Sequence, residues 1–205
     1  MIKKIEDIFK ERKPHIMGEF SKSAVMIPLC ESGEEISVLF EMRALNLKHQ
    51  PGDICFPGGR LEKGEIPVCA AVRETMEELN LSKEDIKLIG QMDYVVTPYN
   101  FIMYPFVCKL NREDIFPSQS EVDHIFKVPL QFFIENKPLL YEIPIVSQPG
   151  KRFPYRLIRN GRKYKFRRGT VKQYFYNYEK YTIWGFTALI IKRFVDIIVS
   201  NDHNK

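Results

Sequence analysis

Apolar positions along the chain recur with two distinct periods. Ser23–Cys30 and Ile36–Arg43 are dense in apolar and β-branched residues, which predicts two strands joined by a turn around Glu31–Glu35. Leu47–Gly58 lacks either period and reads as a loop. From Pro67 to Leu79 the period becomes helical: Ala70, Ala71, Thr75 and Leu79 form one stripe, widened by Val72 and Met76, with an acidic edge left facing outward. Pro67 suits a first helical turn. Two strands follow, Lys87–Val96 and Phe101–Leu110, around a turn at Thr97–Asn100. Val122–Pro129 reads as a strand and Leu130–Asn136 as a short helix. Tyr141–Tyr176 is strand-rich and basic, with Asn160–Gly161 as a hairpin turn signal. Trp184–Val199 closes the pattern as a helix, with Phe186, Leu189, Ile190 and Phe194 at helical spacing. MIKKIEDIFKERK at the start reads as a short amphipathic helix. No repeat or Pro/Gly/Ser linker divides the chain, so residues 1–205 are expected to form one domain.

Composition adds a folding class. With 205 residues and 44% hydrophobic content, the chain can bury a substantial core. No apolar run approaches a membrane span, and charges interrupt the apolar positions of the first residues, unlike a secretory signal. The terminal SNDHNK matches no receptor-read address. Cys30, Cys55, Cys69 and Cys108 show no paired spacing, and Cys69 and Cys108 are expected to be small core residues. A reduced, cytoplasmic protein is expected.

The chemistry concentrates in Gly59–Leu81. Glu74, Glu77 and Glu78 stand at i, i+3 and i+4, so a helix places them on one face, where they repel one another. A hard divalent cation removes that repulsion, since it is bound by carboxylate oxygens. Arg73 has two partners within reach: a carboxylate on the helix, or Glu65 in the preceding loop. Gly58, Gly59 and Gly64 let that loop turn tightly beside a ligand.

The spacing of Gly59, Glu65, Arg73–Glu74 and Glu77–Glu78 resembles the Nudix box and keeps all its charged positions. Thr75 replaces an apolar residue of that box, and Asn80 replaces a helix-ending glycine, a position where asparagine is the next best tolerated. The resemblance implies an α/β/α sandwich whose mixed sheet carries a catalytic loop–helix–loop. It implies Mg²⁺ or Mn²⁺ held by Glu74, Glu77, Glu78 and the Gly58 carbonyl, with Glu65 paired to Arg73. Glu77 would thus serve catalysis through the metal. Glu121, before the strand ending Val-Pro-Leu, is the best candidate for a further catalytic carboxylate.

Upstream, Arg43–Ala44, Gly52 and Phe56-Pro-Gly-Gly59 are similar to the signature of the coenzyme A pyrophosphatase branch of that family. Lys48 stands where arginine is usual, and His49 is common there. Ile183-Trp-Gly-Phe-Thr-Ala188 looks like a further stretch of those enzymes. Arg43, Lys48, His49 and Phe56 are therefore candidate substrate contacts, as are Arg167 and Arg168 from a basic tract at Lys151–Lys172. That tract has ten basic residues and no acidic one; without it the chain has 21 basic against 26 acidic residues. Interleaved aromatics suit a phosphorylated adenine compound or single-stranded RNA.

The expected function is metal-dependent hydrolysis of coenzyme A or acyl-coenzyme A to 3′-phospho-AMP and (acyl-)phosphopantetheine. The alternatives are a Nudix pyrophosphatase for ADP-ribose, a dinucleotide or an RNA cap, and a non-catalytic nucleotide- or RNA-binding protein on the same scaffold. The expected partner is a small nucleotide; no membrane partner is expected, and a homodimer is left open.

Overall fold

The computed structural model describes residues 1–202; of the terminal SNDHNK, residues 203–205 lie outside the described residues. Two long strands, β1 (Ser21–Ser32) and β2 (Glu35–Arg43), form a tight antiparallel pair. Two short strands, β3 (Ile54–Cys55) and β4 (Gly58–Arg60), occupy the stretch expected to be only loop. Helix α2 (Pro67–Leu79) follows the N-terminal helix α1 (Ile2–Lys10) in chain order and ends on Asn80 in a left-handed conformation. Strands β5 (Ile86–Gln91), β6 (Val95–Thr97), β7 (Phe101–Leu110) and β8 (Val122–Pro129) complete one sheet, so the expected strand Lys87–Val96 is split at residues 92–94.

That sheet is mixed. β1 and β7 pair in parallel along its centre, and the other pairings are antiparallel. A central strand covered on both faces needs apolar side chains in both directions, and Ser23–Ile27 through Pro28 is buried or half-buried throughout. Ala24 and Met26 face one core with Ala70, Ala71 and Leu79 of α2. Val25 and Ile27 face the other.

The second core lies against helix α4 (Gly185–Asp202), short helix α3 (Leu130–Glu135) and a three-stranded antiparallel sheet. That sheet comprises β9 (Leu139–Val146), β10 (Arg168–Tyr178) and β11 (Tyr181–Trp184). Trp184 therefore ends a strand, and the last helix starts one residue later, at Gly185 with φ 67°. Thr187 donates its hydroxyl to the Ile54 carbonyl at 3.0 Å, fastening the start of α4 to β3.

The expected hairpin at Arg159–Arg162 is not formed. Asn160 and Gly161 do take left-handed backbone, with φ 68° and 49°, yet they join two single 3-10 turns. The strand pairing lies further out, between Leu139–Val146 and Arg168–Phe175, closed by residues 147–167. Within that connection Phe153, Tyr155, Tyr164 and Phe166 pack edge to face on one another, and Arg162 lies over the Tyr155 ring. The aromatics thus consume one another's faces instead of alternating across a ribbon. Cys69 is exposed, against expectation, while Cys108 is buried; all four cysteines are free.

Replacing Thr187 by valine keeps the shape and removes the donor to Ile54. We expect a loss of about 1–2 kcal/mol, read by urea denaturation with unchanged m-value.

Candidate active site

Helix α2 follows β4 after a six-residue loop and packs on β1 and β4. Gly58 and Gly59 make the approach possible: a Cβ at Gly58 would overlap the Ala24 carbonyl oxygen, and one at Gly59 would overlap the Glu74 carboxylate. With neither Cβ present, Glu74 and Glu78 reach in under the loop.

Glu78 does not point outward. It is 2% exposed, and its Oε2 accepts the Gly58 N–H at 2.7 Å. The stripe thus includes a carboxylate, because a backbone donor waits on the sheet side. Glu77 is well exposed, and Glu74 lies between these extremes. Arg73 makes a two-pronged pair with Glu65, Nε to Oε1 at 3.0 Å and Nη2 to Oε2 at 3.1 Å. Its Nη1 also donates to Glu74 at 2.8 Å and Glu77 at 3.3 Å. One guanidinium therefore bridges loop and helix. Its hydrogen bonds hold Glu65 below the usual carboxylate range, aided by the Glu62 N–H.

A fifth carboxylate, Glu41, went unnoticed in the sequence. It lies on β2, 0% exposed. Val38 and Phe40 alternate toward the α4 side, so Leu39 and Glu41 face α2. The available signal was a lone acid at an inward position of a buried strand. Cys55, its cross-strand neighbour, donates its thiol to Glu41 Oε1 at 3.1 Å, and Oε2 has no hydrogen-bond partner. Burial holds the Cys55 thiol well above its usual range, so it stays a donor.

Glu121 is exposed at the mouth of this cluster. Its carbonyl accepts the Ala44 N–H at 2.9 Å, and Ser118 N–H, just before it, binds the Glu78 carbonyl at 2.8 Å. Burial is the main cause that raises Glu41, Glu74 and Glu78 above the ordinary glutamate range. The charge of Glu121 adds to each, and that of Glu41 adds to Glu78.

The donor set fits a hard divalent cation, being carboxylate oxygens with one buried and unpaired. Among the described residues, no three carboxylate, imidazole or thiol groups are already gathered for a metal, and Arg73 engages Glu74 and Glu77.

The substrate candidates separate. Arg43 lines a cleft of about 230 Å³ beside Cys55, shared with Tyr99, Gln173 and Trp184. Its backbone is closed on Asp53 and Gly52, the latter with φ 74°. Lys48 and His49 are exposed on the loop so formed, and the His49 carbonyl accepts from Arg43 Nε at 3.5 Å. Phe56 is not a substrate contact: it is 3% exposed and stacked on Phe40 at 4.9 Å, facing the α4 core. Arg167 and Arg168 are exposed at the far end of β10. Arg168 lies seven residues from Phe175, the partner of Trp184, roughly 20 Å at the usual strand rise. A larger groove of about 700 Å³ runs between α3, α4 and β10, lined by none of these carboxylates.

Residues 20–141 match the NUDIX domain family. The chain is 24% identical to Nudix hydrolase 3 of Caenorhabditis elegans over 96% of its length and 82% of that protein. It is 30% identical to the peroxisomal coenzyme A diphosphatase NUDT7 of Mus musculus over 65% of its length, and 34% identical to ndx-8 of C. elegans, another peroxisomal coenzyme A diphosphatase, over 56%. It spans only 56% and 51% of those two relatives. In fold, it is similar to a MutT/nudix family protein of Enterococcus faecalis, with TM-score 0.54 and 14% identity over 97% of the chain and 70% of that one.

Glu41 and Glu78 bind more protons folded than unfolded, so stability falls as pH rises above the ordinary glutamate range near about 4.3. In EDTA the melting temperature should drop by a few degrees between about pH 5.5 and about pH 7. Mg²⁺ should reverse the drop, as differential scanning fluorimetry would show.

Proposed function

We propose, since the chain belongs to the Nudix hydrolase family, that it hydrolyses the diphosphate of coenzyme A or acyl-coenzyme A. Water adds across the P–O–P bridge, giving 3′-phospho-AMP and (acyl-)phosphopantetheine. The observation that carries this reading is the cleft at Arg43, which borders Cys55 and so adjoins the carboxylate cluster. A guanidinium suits phosphate oxygens, and the Tyr99 and Trp184 rings suit an adenine face. The names of the mouse and nematode relatives support the same substrate class.

Glu74, Glu77 and Glu78, with the Gly58 carbonyl, would hold Mg²⁺ or Mn²⁺. Such a cation neutralises charge on the phosphate oxygens and lowers the pKa of bound water. The remaining work falls to the chain. The Arg73–Glu65 fork keeps α2 in register with its loop, and Arg73 yields Glu74 and Glu77 when they turn to a ligand. Glu121, exposed at the mouth, accepts the proton of the attacking water at its carboxylate. Residues 151–172 act at longer range, raising the local concentration of an anionic substrate. A cytoplasmic setting is our reading, and free thiols suit a reducing compartment of that kind.

Glu78→Gln should cut metal-dependent turnover by roughly 100-fold or more while the circular dichroism spectrum is kept. Near-normal turnover would remove the site assignment. Coenzyme A should also be cleaved faster than 3′-dephospho-coenzyme A, with products identified by mass; equal rates would redirect the substrate assignment to another nucleotide.

A further inference from the structure

Most of the carboxylates have partners that explain their positions. Glu65 and Glu74 have Arg73, and Glu78 has the Gly58 N–H. Glu41 differs. Its side chain is wholly buried, one oxygen is engaged by a thiol, and the other has no hydrogen-bond partner. A buried carboxylate oxygen left bare costs several kcal/mol unless something positive meets it. The charge of Arg43, two residues along, acts on Glu41, but its Nε donates to the His49 carbonyl and leaves that oxygen without a hydrogen bond.

The surroundings limit what can meet that oxygen. Glu41 faces the α2 side of β2, opposite the helix that carries Glu74 and Glu78. Its cross-strand neighbours are Cys55 on β3 and Ile125 on β8, neither of which supplies a cation. Cys55, by binding Oε1, fixes the carboxylate rotation and leaves Oε2 free.

We propose that Glu41 is a further ligand of the divalent cation, contributed by the sheet from outside the box, so that the ion is held between strand β2 and helix α2. This rests on the reading of the cluster as a metal site. Cys55 is then a positioning residue, since it aims the ligand without touching the ion.

The test is Mn²⁺ binding to the purified chain of residues 1–205 without substrate, by isothermal titration calorimetry and electron paramagnetic resonance. Glu41→Gln keeps a carbonyl oxygen to accept from Cys55 and replaces the free carboxylate oxygen with a neutral NH2 that cannot ligate a cation. It should bind Mn²⁺ at least roughly 10-fold more weakly than wild type. Anomalous scattering from Mn²⁺-soaked wild-type crystals should place the ion within about 2.0–2.3 Å of Glu41 Oε2, a readout that needs no variant to fold. Wild-type affinity in Glu41→Gln, or an ion bound only by α2 residues, overturns the inference. If Glu78→Gln abolishes binding while Glu41→Gln does not, the inference alone fails. If wild type itself takes up no Mn²⁺, the metal reading fails and this inference with it.

Discussion

Several carboxylates are held together with little access to water, and that electrostatic cost shapes the molecule around helix α2. Burial and mutual repulsion both disfavour their charged forms. Three kinds of compensation surround them: a guanidinium on the outer side, a backbone N–H from the loop, and a thiol from the neighbouring strand. None of these neutralises the cluster fully. The residual deficit of positive charge is what a hard cation would offset in the proposed metal site.

The scaffold serves that arrangement through close approach. Gly58 and Gly59 remove two Cβ atoms where loop, β1 and α2 meet. The parallel β1–β7 core holds the floor rigid, and α4 pins β3 from the opposite layer through Thr187. Strand β3 has only two residues, yet each face of it matters: Ile54 joins the α4 core, while Cys55 orients Glu41. Chemistry and packing are thus separated by strand alternation rather than by distance along the chain.

What was legible in the sequence follows from range. The α2 boundaries, Pro67 at its start and Asn80 in a left-handed cap are local, and the spacing revealed them. Strands β1, β2, β7 and β8 were legible for the same reason. Glu78's inward turn was hidden, because it depends on the Gly58 N–H twenty residues away in the chain. Glu41 was hidden because its meaning comes from α2 above it and Cys55 across from it. Phe56 misled by adjacency: it neighbours Pro57 and the glycines in sequence, but the pleat sends it to the other core. The Asn160–Gly161 turn was read correctly as backbone and wrongly as topology, since flanking pairing is not a local property.

The connection at residues 147–167 bears on how such a protein diversifies. Its aromatics pack on one another, and β9 and β10 close beneath it without its help. The entropic cost of closing a loop grows only with the logarithm of its length, so insertions and deletions there are nearly neutral for folding. All of the chain's excess positive charge is therefore carried on a module that natural selection can lengthen, trim or recharge. The carboxylate cluster on α2 and β2 need not change as it does so.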